Sequence, residues 1–221
     1  MGKPYKSIFG NPAPKAFIVT PSAHTFSTSN AARTSSITGV AGMYLIAMAI
    51  ATGGNAQTGT MTDNLGGTWG AYLSVDNSSP NRALCMWYRL EPLTSNAVVT
   101  VTHTPTTNDG GGLVVYGITG LSSFWNYHTA SLSNPANGVP VMTNDAAPVH
   151  NRGAMIGGIL ASSNAPNMPT NWVSTIQTSY ANPTLYASIG YCQAPNATQQ
   201  TVWGGVTTSN WCGCQAEFFL P

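Results

Sequence analysis

Ionisable side chains are scarce in this chain. Seven Lys and Arg and six Asp and Glu in 221 residues make up 6%, against about 25% in an ordinary soluble domain. That excludes the basic stripe of a nucleic-acid binder, and no RNP, helix-turn-helix or zinc-finger pattern accompanies the few lysines. Long hydrophobic runs are missing as well. The longest, Val40 to Ala51, is twelve residues interrupted by Gly42, where a membrane helix needs about 20. No segment reads as a long amphipathic helix. The first residues are broken by Pro4, Pro12 and Pro14 and hold no apolar leader segment, so export by the usual route is not expected.

Spacings that would carry chemistry are also absent. His24, His103, His128 and His150 are scattered, with neither H-x-H nor H-E-x-x-H among them, so no metal or other cofactor is expected. Cys212-Gly213-Cys214 has a metal-like spacing, but two thiols on one face of a strand leave a zinc ion two ligands short. Of the carboxylates, Asp63, Asp76, Glu91 and Asp109 fall in or beside turns, where Asp serves local hydrogen bonding. Asp145 lies in a long polar connection, and Glu217 sits on a strand without an identifiable partner. The converging pair of a glycoside hydrolase is not legible, and no catalytic residue is assigned. With four cysteines and no leader, reduced thiols are the default. The competing expectation is a cross-link involving Cys192, Cys212 or Cys214 once a particle meets oxidising surroundings.

What is present is 43% hydrophobic residues separated by Ser, Thr, Asn, Gly and Pro, enough to build a sizeable core. A neutral hydroxyl-and-amide surface with little charge to keep copies apart suits a protein packed in an assembly. The charge is uneven. Residues 1–62 carry Lys3, Lys6, Lys15 and Arg33 and no acid (+4), and residues 63–221 carry three Arg against six acids (−3), leaving +1. The opening MGKPYKSIFGNPAPK reads as an extended arm with an Ile8-Phe9 anchor.

Period-two patterns follow. A turn at Asp63 to Gly67 opens a strand in which Trp69, Ala71, Leu73 and Val75 share one face. A polar turn at Asp76 to Arg82 leads to a strand over Ala83 to Leu90, and Val98 to His103 alternates Val with Thr. Met43 to Ala51 is apolar on both faces, as expected of a strand between two layers. A second block echoes the first: Met155 to Ala161 resembles Met43 to Ala51, Trp172 to Thr178 resembles the strand at Trp69, and Thr184 to Cys192 and Gln199 to Val206 follow. Such a pseudo-repeat is what two Greek keys leave in one jelly roll. Trp69 and Trp172 are assigned to the core. Trp125, in a polar turn-like setting, marks with Tyr127 and Asp109 a surface for a glycan or partner.

Four motifs carry a family resemblance: M-T-D-N-x-G-G-T-W at 61–69, C-M-W-Y at 85–88, V-V-T-V-T at 98–102, and a late strand with Trp203. Over roughly residues 38–219 the chain resembles the β-sandwich domains of bacteriophage virion proteins and some bacterial surface proteins. In those, a V-x-D-x-x-G-N-T-W turn precedes a W-Y-A strand and a T-V-T-V strand. Gly66-Gly67 stands where the pattern has Gly-Asn, and both pairs tolerate positive φ. The resemblance implies structural or adhesive virion roles and carries over no catalytic residue.

Together these readings predict an all-β protein: an antiparallel, jelly-roll-like β-sandwich over residues 16–221, preceded by an extended arm over 1–15. The expected function is that of a non-enzymatic bacteriophage virion structural protein, foremost a capsid decoration (cement) protein assembled in the host cytoplasm. It would dock on the shell and self-associate as a homo-oligomer, a trimer on a three-fold axis being one arrangement, without nucleic-acid or membrane partners. Lys3, Lys6 and Lys15 would steer the arm to an acidic surface, and Ile8 and Phe9 would anchor it. The alternative is a carbohydrate- or receptor-binding adhesin module of a tail or collar appendage, built on Trp125, Tyr127 and Asp109.

Overall fold

The computed structural model describes residues 18–27, 31–52, 59–78, 81–105, 110–120, 129–134, 141–143, 154–162, 166–181, 184–193, 200–204 and 211–218. The arm over 1–15 lies outside them. Among the described residues every element is a strand and every pairing antiparallel. The first half holds β1 (Ile18–Pro21), β2 (Thr25–Ser27), β3 (Arg33–Gly39), β4 (Tyr44–Thr52), β5 (Gly59–Asp63), β6 (Trp69–Ser78), β7 (Asn81–Arg89), β8 (Ala97–Pro105) and β9 (Gly111–Thr119). The second half holds β10 (Thr129–Asn134), β11 (Val141–Thr143), β12 (Ala154–Ala161), β13 (Val173–Ala181), β14 (Thr184–Gln193), β15 (Gln200–Val202) and β16 (Trp211–Phe218).

Four sheets stack in layers. The three-stranded sheet β3-β8-β5 covers one face of the sheet β1-β9-β4-β7-β6, in which β2 also pairs with β9. The five-stranded sheet β10-β16-β12-β14-β13 covers the other face and carries the pair β11-β15 on its own far side. Alternation along β4 explains the stacking. Leu45, Ala47 and Ala49 pack with Ile37, Met61, Val99 and Val101, while Ile46, Met48 and Ile50 pack with Ile156, Leu160, Ile189 and Cys214. The expectation that this strand lies between two layers therefore holds. Each large apolar side chain buried this way contributes about 1.5–3 kcal/mol, so two-sided burial makes β4, β9, β12 and β16 the frame of the molecule.

The repeat read from the sequence is real, and it is larger than expected. Strand for strand, β1-β9-β4-β7-β6 corresponds to β10-β16-β12-β14-β13, and β3-β8 corresponds to β11-β15. The place of β5 beside β8 is taken by a bridge between Asn167 and Gly204, just past β15. The correspondence extends to single residues. One extra residue interrupts the pairing of β6 with β7 at Tyr72, opposite Trp87 and Met86. Another interrupts β13 against β14 at Thr175, opposite Gly190 and Ile189. Aligning these bulges equates Tyr88 with Tyr191 and Trp69 with Trp172. It also equates Ile46 with Ile156, because Ile46 pairs with Tyr88 and Ile156 with Tyr191. Each half is thus a complete sandwich unit, where the sequence suggested two halves of one jelly roll.

The two units meet face to face through the six-stranded sheet of the first and the five-stranded sheet of the second. The junction is made by β6 and β7 of the first unit against β10, β12 and β16 of the second, with β1 reaching β14. Gly158 permits the close approach, since a Cβ there would stand 3.3 Å from Leu84 Cδ2 of the other unit. Tyr116 crosses the junction, its ring edge-on to Tyr191 with centroids 6.0 Å apart. Thr175 donates to the Ile189 carbonyl at 2.9 Å, so the Tyr116 hydroxyl is the donor in its own bond to Thr175.

Three expectations are corrected. The unbroken alternation read from Trp69 to Val75 is interrupted, because the bulge at Tyr72 shifts the pairing of β6 with β7 by one residue. Ala71 pairs with Trp87, and beyond the bulge Leu73 pairs with Met86 and Val75 with Leu84. The turn expected at Asp76 to Arg82 is shorter, since Asp76 to Ser78 belong to β6 and Asn81 and Arg82 to β7. Phe26 to Ile37, a Ser/Thr-rich stretch whose weak alternation reads as an edge strand, divides into β2 and β3, which belong to different sheets. Neither β5 nor β11 was foreseen.

Candidate functional site

The motif that carries the resemblance builds a clasp. Asp63 ends β5, and its carboxylate collects four donors. Oδ1 accepts from the amides of Leu65 at 2.8 Å and Gly67 at 3.2 Å, and Oδ2 accepts from Trp69 Nε1 at 2.8 Å and Arg89 Nε at 3.0 Å. Arg89 Nη1 goes on to donate to the carbonyls of Glu91 at 2.6 Å and Pro92 at 3.3 Å. One carboxylate thereby ties the β5–β6 turn to the end of β7. Both side chains are buried, at 0% exposure for Asp63 and 9% for Arg89. Burial alone would raise the Asp63 pKa, but the bonds from Gly67, Trp69, Leu65 and Arg89 outweigh it and hold the carboxyl below its usual range. A carboxylate with both oxygens occupied is a structural fastener and has little acceptor capacity left for acid–base work.

The two glycines of the turn have different tasks. Gly66 takes φ +72°, whereas a Cβ on Gly67 would stand 2.0 Å from Arg89 Nε. Positive φ is needed at Gly66 and not at Gly67, which is small so that the guanidinium can lie over it.

A second buried polar pair closes the other end of the outer core. Arg33 on β3 stands opposite His103 on β8. Its Nη1 lies 3.4 Å from His103 Nδ1 and 3.5 Å from the Ile50 carbonyl. Arginine can only donate, so Nδ1 is the acceptor and the imidazole is neutral with its proton on Nε2. Burial first, and then the charge of Arg33, push the His103 pKa down to about 4.

The outward face of β3-β8-β5 is a carpet of hydroxyls. β3 presents Thr34, Ser36 and Thr38, and β5 presents Thr60 and Thr62. The central β8 presents Thr100, Thr102 and Thr104 after the exposed Val98. Register sets Thr102 between Thr34 and Thr62, and Ser36 beside Thr100, their hydroxyls 3.0 Å apart. None of these side chains is ionisable. Val98 is exposed on β8, and Val40 and Leu65 are exposed just past the ends of β3 and β5. Asn64 ties the turn after β5 to β8 by donating to the Val98 carbonyl and accepting from the Thr100 amide. The sequence showed the Val/Thr alternation of one strand; only the pairing brings three such strands into one surface.

Other expected site residues are placed as follows. Lys3, Lys6, Ile8, Phe9 and Lys15, and also Asp109, Trp125 and Tyr127, lie outside the described residues. Cys192, Cys212 and Cys214, the candidates for a cross-link, are buried and in no disulfide. Cys192 stands opposite Met155 and Cys212 opposite Leu160 on the intervening strand β12. Five residues of strand rise, about 17 Å, far exceed the roughly 7 Å Cα limit for a disulfide. Cys212 and Cys214 face the central core, out of reach of another chain. Burial, joined by Cys85 and Cys212, pushes the Cys214 thiol well up, which keeps it protonated and inert. Among the described residues no cluster of three His, Cys, Asp or Glu could hold a metal, and no helix is long and apolar enough to cross a membrane.

Fold and site together define a doubled antiparallel β-sandwich with two buried polar pairs, Asp63–Arg89 and Arg33–His103, and an outer β3-β8-β5 face that presents hydroxyls. No family model, no curated protein and no solved structure matches the chain.

Proposed function

We propose that this protein is a non-enzymatic structural component of a bacteriophage particle, a capsid decoration protein that docks on the shell and self-associates. The observation that carries the reading is the uncharged face of β3-β8-β5, presented by a rigid double sandwich. Such a surface suits packing against neighbours and gives a soluble free protein little colloidal protection. The turn at Asp63 supports it, being the motif by which the chain resembles virion β-sandwich domains. The strand orders support a jelly-roll reading of each unit. In the first, β1-β9-β4-β7 faces β3-β8-β5 while the chain alternates between the layers as two Greek keys require, and β6 has moved to the edge beside β7.

The test is binding of the purified protein, with and without residues 1–15, to bare capsids and in parallel to host cells. Saturable, arm-dependent capsid binding is expected. Binding to cells alone, independent of the arm, would replace this reading with an adhesin.

A further inference from the structure

We infer that the outer face of β3-β8-β5 is a self-association surface, and that its occupant is the same face of a second copy of this chain. This deepens the virion reading and rests on it for the setting in which many copies meet. The surface joins two kinds of ground. Val98 on β8, exposed by 61%, and Val40 and Leu65 just past β3 and β5, exposed by 40% and 46%, are the apolar ground, and rows of hydroxyls centred on Thr102 make up the rest.

Three observations select a second copy as the occupant. With no ionisable side chain on the face, nothing there steers a charged partner, and nothing repels an identical face. A two-fold axis running along β8 sets Val98 on Val98 and Thr102 on Thr102, and the hydroxyls of β3 on those of β5, so the pattern is self-complementary. Face-to-face stacking of sheets is also how this chain already joins its own two units, through a core that mixes residues from both.

Area then sets the strength. Three strands about 4.8 Å apart and some seven residues long offer roughly 350 Å² of face, less than half the roughly 800 Å² per partner of a stable complex. A single contact is therefore weak, and it becomes effective where copies are held close together on a lattice, through high effective concentration.

The experiment is sedimentation of the full-length protein from micromolar to millimolar concentration, at low and high salt, beside Thr102→Lys and Thr102→Val. The wild type should show a weak reversible dimer insensitive to salt, because no ion pair contributes. Thr102→Lys should weaken it by at least about tenfold, burying a charge at the centre of the contact. Thr102→Val, which keeps the β-branched shape, should leave it within about twofold. Circular dichroism and an unchanged unfolding midpoint show that the variants are folded.

A wild type that stays monomeric throughout, or a Lys variant that associates as well as the wild type, would overturn the inference. If the wild type stays monomeric and Thr102→Lys loses capsid binding, the occupant is the shell protein and the second-copy assignment falls. Because self-association is read without capsids, Thr102-dependent dimers combined with a failure to bind any capsid would remove the virion reading and leave this one standing.

Discussion

The clasp at Asp63 and the equivalent corner of the second unit solve the same problem differently. Both corners lead from the strand position beside β8 or β15 into a bulged strand that opens at an equivalent tryptophan, Trp69 or Trp172. In the first unit seven residues separate Met61 from Trp69; in the second only Pro169, Thr170 and Asn171 separate Met168 from Trp172. The long version is held by four bonds to one carboxylate, one of them the ion pair with Arg89. The short version is a tight turn in which Trp172 donates to the Pro169 carbonyl at 3.1 Å and Asn171 takes φ +69°. Arg89 has Cys192 as its counterpart, so the second unit has lost the cation along with the acid. A duplicated fold can thus exchange a polar fastener for backbone geometry, provided the tryptophan keeps its seat.

The largest expected effect breaks the first corner. Asp63→Ala leaves Arg89, the Trp69 indole and two amides without their acceptor, and should cost about 3–5 kcal/mol in denaturant unfolding. At the second corner Asn171→Gly should change stability by less than about 1 kcal/mol, since glycine adopts the same positive φ. Equal costs at the two corners would refute the distinction drawn between them.

Acid separates the units next. His103 has a folded pKa of about 4 against an ordinary 6.5, so the unfolded chain takes up the proton first. Stability is therefore intact above pH 6.5 and declines as pH falls to about 4, by at most about 3 kcal/mol. The Asp63 contribution has the opposite cause and a lower window: its depressed pKa adds stability that is present above about pH 4 and lost below it. Unfolding curves of the wild type and His103→Gln across this range should differ in slope between pH 4 and 6.5, and a parallel pair would contradict the assigned tautomer.

Gly67→Asn, which restores the residue of the resembling turn, should cost about 1–3 kcal/mol by crowding the guanidinium. In an Arg89→Ala background the same change should cost much less, and full additivity would argue against that contact. The smallest effect sharpens the junction between units: Tyr116→Phe removes one bond to Thr175 and should cost about 1 kcal/mol.

Much of this architecture was legible in the residues. Two-sided apolar runs marked β4 and β12, and the order of the second block pointed to the repeat. Other features depend on what sequence period cannot show. The bulge at Tyr72 inserts a residue inside an alternation that looks unbroken in the sequence, so the register of β6 beyond it differs by one residue from a regular strand. β5 is short and runs into the Asp63 turn, whose polar residues masked it. The clasp itself needed Arg89, 26 residues from Asp63 in the chain, and no local pattern links them. The hydroxyl face was half visible, because Thr at alternate positions is also what an ordinary exposed strand prefers; only register shows that three strands align.

The central claim, that one chain folds as two equivalent sandwiches packed face to face, is tested most directly by proton NMR contacts across the junction. The account predicts nuclear Overhauser effects from the Leu84 methyls to the α-protons of Gly158, and from the Tyr116 ring to the Thr175 methyl. If both sets are missing while the contacts within each unit are present, the units do not share this core and the account fails.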